Sequence, residues 1–277
     1  MTLPTFVGIG VPRGGTTWLH TWLSGHPEIF MPTRRKEIRF FDRHYEEGTD
    51  WYEAFFCPPD LAQRYRAIGE ISPQYFYCEE CPQRIAATVP DARLVIMLRH
   101  PVDRAYSNFG FTVQRGNYRG TFRQFLASRP TSLEWGFYSR YAKRFLRYYD
   151  RSRILPLVFE DTFSQPDQTR ERVARFLGVS TDSFPVDGFD RKVNRSTVPR
   201  FQTLSGLTVK TGRRLRKRHL EPVVDLARKF GIQRLIAKGG PLPRIDPQLR
   251  AELSQQFTAE FDELEECLGV DLSSWRK

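Results

Sequence analysis

The sequence is poor in cysteine and methionine and contains no long apolar run. Its 277 residues include four Cys and three Met, and no stretch approaches the roughly 18 apolar residues of a membrane-spanning helix. The opening MTLPTFVGIG lacks the basic segment of a secretory signal, so we expect no transmembrane segment and a cytoplasmic location. Glycine and proline, 19 of each, are scattered, which excludes collagen-like and low-complexity chains.

The few cysteines give no sign of a metal site. Cys78 and Cys81 form a C-x-x-C pair, and the other two stand far from it in the sequence. A zinc site needs a second such pair or two suitably spaced histidines, and neither lies nearby. Because cytoplasmic proteins keep their cysteines reduced, we expect thiols at all four positions and no bound metal.

Positive charge is what the sequence has in excess. The formal net charge is +11, and Arg outnumbers Lys by 35 to 8. A phosphate-bearing cofactor, an acidic glycan and a nucleic acid all fit such a charge, and arginine favours bidentate binding of oxyanions. The most basic run, KTGRRLRKRH, contains no interleaved aromatic residue, so a nucleic-acid partner is not expected.

Short apolar segments alternate with helical patterns over the first 180 residues. Four segments read as buried strands: FVGIGV, RAIGEIS, LVIML and ILPLVFE. This alternation predicts an α/β fold with a P-loop-like central parallel sheet flanked by helices. After about residue 185 the pattern changes to a variable basic segment, about 186–245, and then to a long helix from about 248 to 268. We interpret residues 1–277 as a single domain with a helical C-terminal cap.

Two strand ends carry the signature of an anion site. Residues 10–17 read GVPRGGTT between a strand and a helix, where glycines let backbone N–H groups and a helix N-terminus face an anion. Thr16 stands where a Walker A loop has lysine, and the strand LVIML ends in Arg99 instead of an acidic magnesium ligand. Arg99 and Ser107, eight residues later, are placed to bind a second phosphate. A P-loop kinase and a basic module that binds anions or nucleic acid remain alternatives.

These segments carry a family resemblance. VPRGGTTWL resembles the 5'-phosphosulfate loop, and LRHPVDRAYSNF the 3'-phosphate segment, of sulfotransferases that use 3'-phosphoadenosine 5'-phosphosulfate (PAPS). The resemblance continues through MPTRRKEIRFFD, GEISPQYF, ILPLVFED and LGVDLSSW. It is strongest for the heparan sulfate and bacterial sulfotransferases, in which a K-E-x-x-F-F element follows the first helix.

The resemblance implies a reaction and a set of site residues. The reaction is transfer of a sulfuryl group from PAPS to a hydroxyl or amine of a carbohydrate or other small acceptor, an acidic glycan among them. It releases 3',5'-bisphosphoadenosine (PAP) and needs no metal. Glu37 of the K-E-x-x-F-F element is the implied general base, with Glu70 on the second strand as its rival, and Arg13, at the family's usual lysine position, stabilises the leaving group. The implied PAPS-binding residues are Arg13, Gly14, Gly15, Thr16, Thr17, Arg99, Ser107, Asn194, Arg195 and Arg200.

Overall fold

A five-stranded parallel sheet forms the centre of the fold. A computed structural model describes residues 2–185 and 242–276. The strands are β1 (Phe6–Gly10), β2 (Ile29–Phe30), β3 (Ala67–Ile71), β4 (Arg93–Leu98) and β5 (Ile154–Val158). They pair in the order β2-β3-β1-β4-β5, and every pairing is parallel. The predicted α/β fold with a central parallel sheet flanked by helices is confirmed, and the short β2 is an addition to the four predicted strands.

Helices follow the strands along the chain. They are α1 (Thr16–Ser24), α2 (Gly48–Glu53), α3 (Pro59–Ala62), α4 (Cys81–Thr88), α5 (Pro101–Gln114), α6 (Phe122–Ser128), α7 (Thr131–Glu134), α8 (Ser139–Phe145), α9 (Phe159–Ser164), α10 (Pro166–Leu177), α11 (Pro247–Gln255) and α12 (Thr258–Leu268). The predicted closing helix is therefore two helices, separated at the buried Phe257. No helix within 2–185 and 242–276 has the length and apolarity needed to cross a membrane.

The described residues fall into two compact units, each assembled from separated stretches of chain. The first comprises residues 2–101, 137–185 and 255–276, and it contains the whole sheet. The second comprises residues 102–136 and 242–254. Since both units are discontinuous, no single cut in the sequence separates them. The single domain over 1–277 stays a prediction.

In the first unit, α1 is anchored by aromatic packing. Trp18 and Trp22, one helical turn apart, stack with their ring centroids 5.1 Å apart, and Trp22 also stacks on Phe184 at 4.3 Å. Both tryptophans belong to the buried cluster that includes sheet residues such as Phe6 and Val95. Burial of each large apolar side chain contributes about 1.5–3 kcal/mol. This packing holds the N-terminus of α1 at the end of β1.

Each unit contains part of the C-terminal helical region. In the first unit, Glu260 of α12 accepts hydrogen bonds from the backbone N and Oγ of Ser139 at the start of α8, both at 2.7 Å. In the second, Arg250 of α11 pairs with Asp103 of α5 at 3.0 Å, and the Arg123 guanidinium on α6 binds Glu252. Polar contacts therefore fix α11 and α12 to helices of their own units.

The expectation of four thiols is wrong for the C-x-x-C pair. Cys78 and Cys81 are joined by a disulfide, whereas Cys57 and Cys267 are free. Cys78 lies just before α4 and Cys81 is the first residue of that helix, and the bend between them leaves their Cα atoms 5.4 Å apart. The same local geometry that suits half a zinc site suits a disulfide, and composition alone does not separate them.

Candidate active site

Two glycines in the loop between β1 and α1 are closely surrounded by neighbouring residues. A Cβ on Gly14 would lie 2.4 Å from the Met97 carbonyl oxygen of the neighbouring strand, and one on Gly15 would lie 2.7 Å from the Phe159 ring. Gly15 also has a φ of 105°, in the left-handed region that side chains disfavour. The loop is held to β4 by Val11, whose N–H donates to the Met97 carbonyl at 3.0 Å. Only glycine fits at both positions.

The first turn of α1 presents donors at the end of this loop. Its N-cap is Gly15, which has no side chain to occupy the first amides, and the turn contains no acidic residue. Thr16 is buried and Thr17 is half-buried. Free first-turn N–H groups and the helix dipole make such an end a binding site for an anion.

Arg99 joins the second predicted anion segment to the loop. Its Nη1 donates to the backbone oxygen of Arg13 at 3.4 Å, and its guanidinium lies 4.6 Å from the centroid of the Phe159 ring. Its Nε is buried and has no hydrogen-bond partner among the described residues. A buried N–H without a partner is costly, so this group is suited to bind an anion.

The segment around Arg99 is fixed from two sides. The Arg99 carbonyl accepts a hydrogen bond from the Tyr138 hydroxyl at 2.8 Å, and the Glu160 carboxylate accepts from the His100 backbone N at 3.1 Å and from Trp275 Nε1 at 2.8 Å. Burial raises the pKa of Glu160, opposed by these hydrogen bonds and by the charge of Arg99. The strand predicted to end at Glu160 ends instead at Val158, and Glu160 lies in α9. Its carboxylate holds the segment around Arg99 in place.

The K-E element lies beside the glycine loop. The Lys36 ammonium donates to Thr17 Oγ1 at 2.7 Å and stands 3.7 Å from Glu37 Oε1. The two side chains are 33% and 34% exposed, so the Glu37 carboxylate remains within reach of an acceptor. The family resemblance assigns a role to Glu37 but none to Lys36. The separation of 19 residues between Lys36 and Thr17 carries no signal of their contact.

The aromatic pair of K-E-x-x-F-F anchors this element in the core. Phe40 and Phe41 are fully buried, and the Phe40 ring stacks on Tyr52 with centroids 4.3 Å apart. The Arg39 backbone N donates to Ser72 Oγ at 3.0 Å just beyond β3. The buried rings therefore leave the charged K-E dipeptide at the surface next to the loop.

Cations dominate the electrostatics of the site. Burial lowers the pKa of Lys36, Glu37 opposes that effect, and the nearby Arg13 charge lowers the pKa further. Burial, together with the Lys36 charge, lowers the pKa of His20 to about 4, which leaves this imidazole neutral at pH 7. Arg13 itself has a φ of 70°, an uncommon conformation for a residue with a side chain and one that often marks a functional site.

Glu70, the rival base, is inside the protein. Its side chain is fully buried and accepts hydrogen bonds from the hydroxyls of Tyr75 and Ser72, both at 2.7 Å, and of Tyr52 at 3.2 Å. Burial raises the pKa of Glu70 to about 7, against the opposing effect of these hydrogen bonds. Glu70 connects β3 to the segments around it and has no exposed surface for an acceptor.

The structure brings together most, but not all, of the predicted site residues. The first unit brings together, at the ends of β1 and β4, the residues Arg13, Gly14, Gly15, Thr16, Thr17, Glu37 and Arg99. Ser107 lies in α5, within the second unit. Asn194, Arg195 and Arg200 lie outside the described residues. No group of three or more His, Cys, Asp and Glu side chains suited to a metal occurs within 2–185 and 242–276.

Comparison with known proteins identifies the family. A family model described as a sulfotransferase domain matches residues 4–219. This chain belongs to the sulfotransferase domain family. The predicted family resemblance is confirmed.

Relatives of this sulfotransferase-family chain include two human proteins. Bifunctional heparan sulfate N-deacetylase/N-sulfotransferase 2 is 34% identical over 199 residues, which are 64% of this chain and 22% of that protein. Heparan sulfate glucosamine 3-O-sulfotransferase 6 is 34% identical over 185 residues, which are 64% of this chain and 52% of that protein. The chain thus spans about a fifth of the first relative and about half of the second.

A solved structure supports the same family assignment. The crystal structure of a sulfotransferase from Alicyclobacillus acidocaldarius matches with a TM-score of 0.70 and 25% sequence identity. The match covers 100% of both chains. The described part of this chain therefore has a fold similar to that of a bacterial sulfotransferase.

Proposed function

We propose that this sulfotransferase-family protein transfers the sulfuryl group of PAPS to a hydroxyl or amine of an acceptor, with Glu37 as general base. One observation carries the proposal: the Lys36–Thr17 hydrogen bond of 2.7 Å fixes the K-E dipeptide beside the glycine loop. A candidate base then stands next to a candidate phosphosulfate site. A module that only binds anions does not need that arrangement.

The residues of the loop region suit PAPS. The glycine cradle and the first turn of α1 offer backbone N–H groups and the Thr16 and Thr17 hydroxyls to the 5'-phosphosulfate. Arg99, with its buried Nε available, would bind the 3'-phosphate together with Ser107. Within the proposal, Asn194, Arg195 and Arg200 add further contacts to that phosphate. PAPS supplies an activated sulfuryl group on a phosphate leaving group.

Catalysis then depends on placement and charge. The loop and Arg99 hold the donor so that the acceptor attacks in line with the breaking sulfur–oxygen bond. Glu37 accepts the proton of the attacking hydroxyl or amine. Arg13 neutralises the negative charge that develops on the bridging oxygen. None of these steps requires a metal.

The proposed acceptor is a carbohydrate, with acidic glycans as the first candidates. The names of the two human relatives specify heparan sulfate, one with N-sulfotransferase and one with 3-O-sulfotransferase activity. In this chain Arg34 and Arg35 directly precede the K-E dipeptide, and neither has a carboxylate within ion-pair distance among the described residues. Such unpaired cations beside Glu37 favour an anionic acceptor.

The test is a transfer assay with sulfur-35-labelled PAPS and a panel of acceptors. The panel contains N-desulfated and O-desulfated heparan sulfate, neutral oligosaccharides and simple phenols. We expect label in a carbohydrate product, without added metal. Magnesium-dependent turnover of ATP with no sulfuryl transfer would assign the chain to the kinases, and tight binding of nucleic acid without turnover would assign it to the basic binding modules.

A further inference from the structure

We propose that Lys36 is a catalytic residue that contacts the sulfuryl group as it passes from donor to acceptor. The inference rests on the proposed function and assigns a task to the residue before the base. Each of the other proposed site residues acts either on the PAPS donor or on the acceptor. Lys36 contacts a residue from each of these two sets, Thr17 and Glu37.

The contacts of the Lys36 ammonium define its position. It binds Thr17 Oγ1 in the first turn of α1 at 2.7 Å and stands 3.7 Å from the Glu37 carboxylate. It therefore lies between the proposed donor loop and the proposed base. The transferred group must cross that interval, because an in-line displacement places it between the leaving and attacking atoms.

The ammonium retains capacity for a ligand. It carries three N–H donors, and Thr17 and Glu37 are its partners among residues 2–185 and 242–276. Its side chain is 33% exposed, which leaves room for an anionic oxygen to approach.

The charge balance of the site favours such a ligand. Burial lowers the pKa of Lys36, Glu37 opposes that effect, and the positive charge of Arg13 adds a smaller lowering, so the two cations repel each other. A sulfuryl oxygen between them would relieve the repulsion. During transfer the sulfur–oxygen bond to the phosphate breaks with its electron pair, the acceptor oxygen or nitrogen bonds to sulfur, and the acceptor proton moves to Glu37. Lys36 contacts a non-bridging sulfuryl oxygen and exchanges no atom.

Comparison of PAP with PAPS isolates this contact, because PAP lacks the sulfuryl group. Equilibrium dissociation constants of both are measured for wild type, Lys36→Gln, Lys36→Arg and the control Lys143→Gln, which removes an exposed lysine paired with Glu263. We expect Lys36→Gln to raise the dissociation constant of PAPS by about 10-fold to 100-fold. The dissociation constant of PAP should rise by less than about threefold. Turnover should fall, and Lys36→Arg should restore part of both losses. Lys143→Gln should match wild type.

Three outcomes would overturn the assignment. Equal weakening of PAP and PAPS by Lys36→Gln would make Lys36 a general phosphate contact. Unchanged binding with a lowered melting temperature would make it a structural partner of Thr17. If wild-type protein bound neither nucleotide, the proposed function would fail, and this inference with it. Retained PAP binding therefore separates failure of the inference from failure of the function.

Discussion

Arg99 stands where two parts of the site meet. It reaches the Arg13 carbonyl, lies over the Phe159 ring and keeps a buried Nε without a partner among the described residues. Removal of its guanidinium should lower the affinity for PAP by roughly tenfold or more, because hydrogen bonds to charged groups contribute about 1.5–3 kcal/mol. Isothermal titration of Arg99→Ala with PAP measures this loss. The control is Arg153→Ala, which removes an arginine paired with the exposed Asp91. Unchanged affinity of Arg99→Ala for PAP would contradict the assignment of Arg99 to the 3'-phosphate.

Arg13 should act on the reaction more than on binding. In the proposed reaction its guanidinium would interact with charge that grows as the sulfur–oxygen bond breaks, and would stabilise the transition state more than the bound donor. Arg13→Ala should lower kcat far more than it weakens PAPS, and Arg13→Lys should keep partial activity. The left-handed backbone conformation of this residue, with a φ of 70°, is equally unfavourable for alanine and lysine, so backbone strain does not explain a difference between the two variants. Steady-state kinetics and PAPS titration give both quantities, and equal losses would assign Arg13 to anion binding alone.

Strand β3 contains a buried acid, Glu70, whose titration should affect the stability of the fold. The folded pKa of Glu70 is about 7, above its usual 4.5, so between these values the folded protein holds a proton that the unfolded chain lacks. Stability from this group is present below pH 4.5 and is lost as the pH rises to 7. The loss is on the order of 3 kcal/mol.

Glu70→Gln tests this effect. Glutamine keeps an oxygen for the Tyr52 and Tyr75 hydroxyls and an amide for Ser72, but it does not titrate. The stability of the variant relative to wild type should therefore be higher at pH 8 than at pH 5, as measured by urea unfolding at both values. Parallel pH profiles for the two proteins would show that Glu70 does not titrate in this range.

The main elements were predictable from the sequence, and their junctions were not. Strand β4, whose LVIML is uniformly apolar, and the glycine loop before α1 have strong local patterns. The two-residue β2 is too short to leave a pattern, and the break at Phe257 follows from tertiary packing of a buried ring. A helical period alone does not report such a break.

The candidate site was predictable in its motifs and less so in its contacts. The phosphate-loop pattern predicts Gly14 and Gly15 as loop residues, and the structure adds the close approach of Met97 and Phe159. The Lys36–Thr17 contact joins residues 19 apart in the sequence, and periodicity within one element carries no information about it. The burial of Glu70 follows from the position of β3 between β2 and β1 in the sheet, which the sequence pattern does not specify.

For the whole molecule, donor binding should stabilise the fold without a metal. A ligand at 100 times its dissociation constant adds about 2.7 kcal/mol of stability, which corresponds to a rise of several degrees in melting temperature for a chain of this size. PAP should give this rise equally with and without EDTA. A thermal-shift assay with PAP, and with ATP and magnesium for comparison, measures it. A rise that EDTA abolished would indicate a nucleotide–metal site.

The proposed function depends on Glu37 taking the acceptor proton at a site that binds PAPS. Its most direct test is the rate of labelled sulfuryl transfer by Glu37→Gln, beside PAP affinity and with Glu70→Gln as the buried control. The amide keeps the shape of the carboxylate and accepts no proton, so turnover should fall by about 10²–10⁴-fold while PAP affinity stays within a few-fold. Glu70→Gln should cost less. Near-full turnover by Glu37→Gln with a hydroxyl acceptor would show that Glu37 is not the general base.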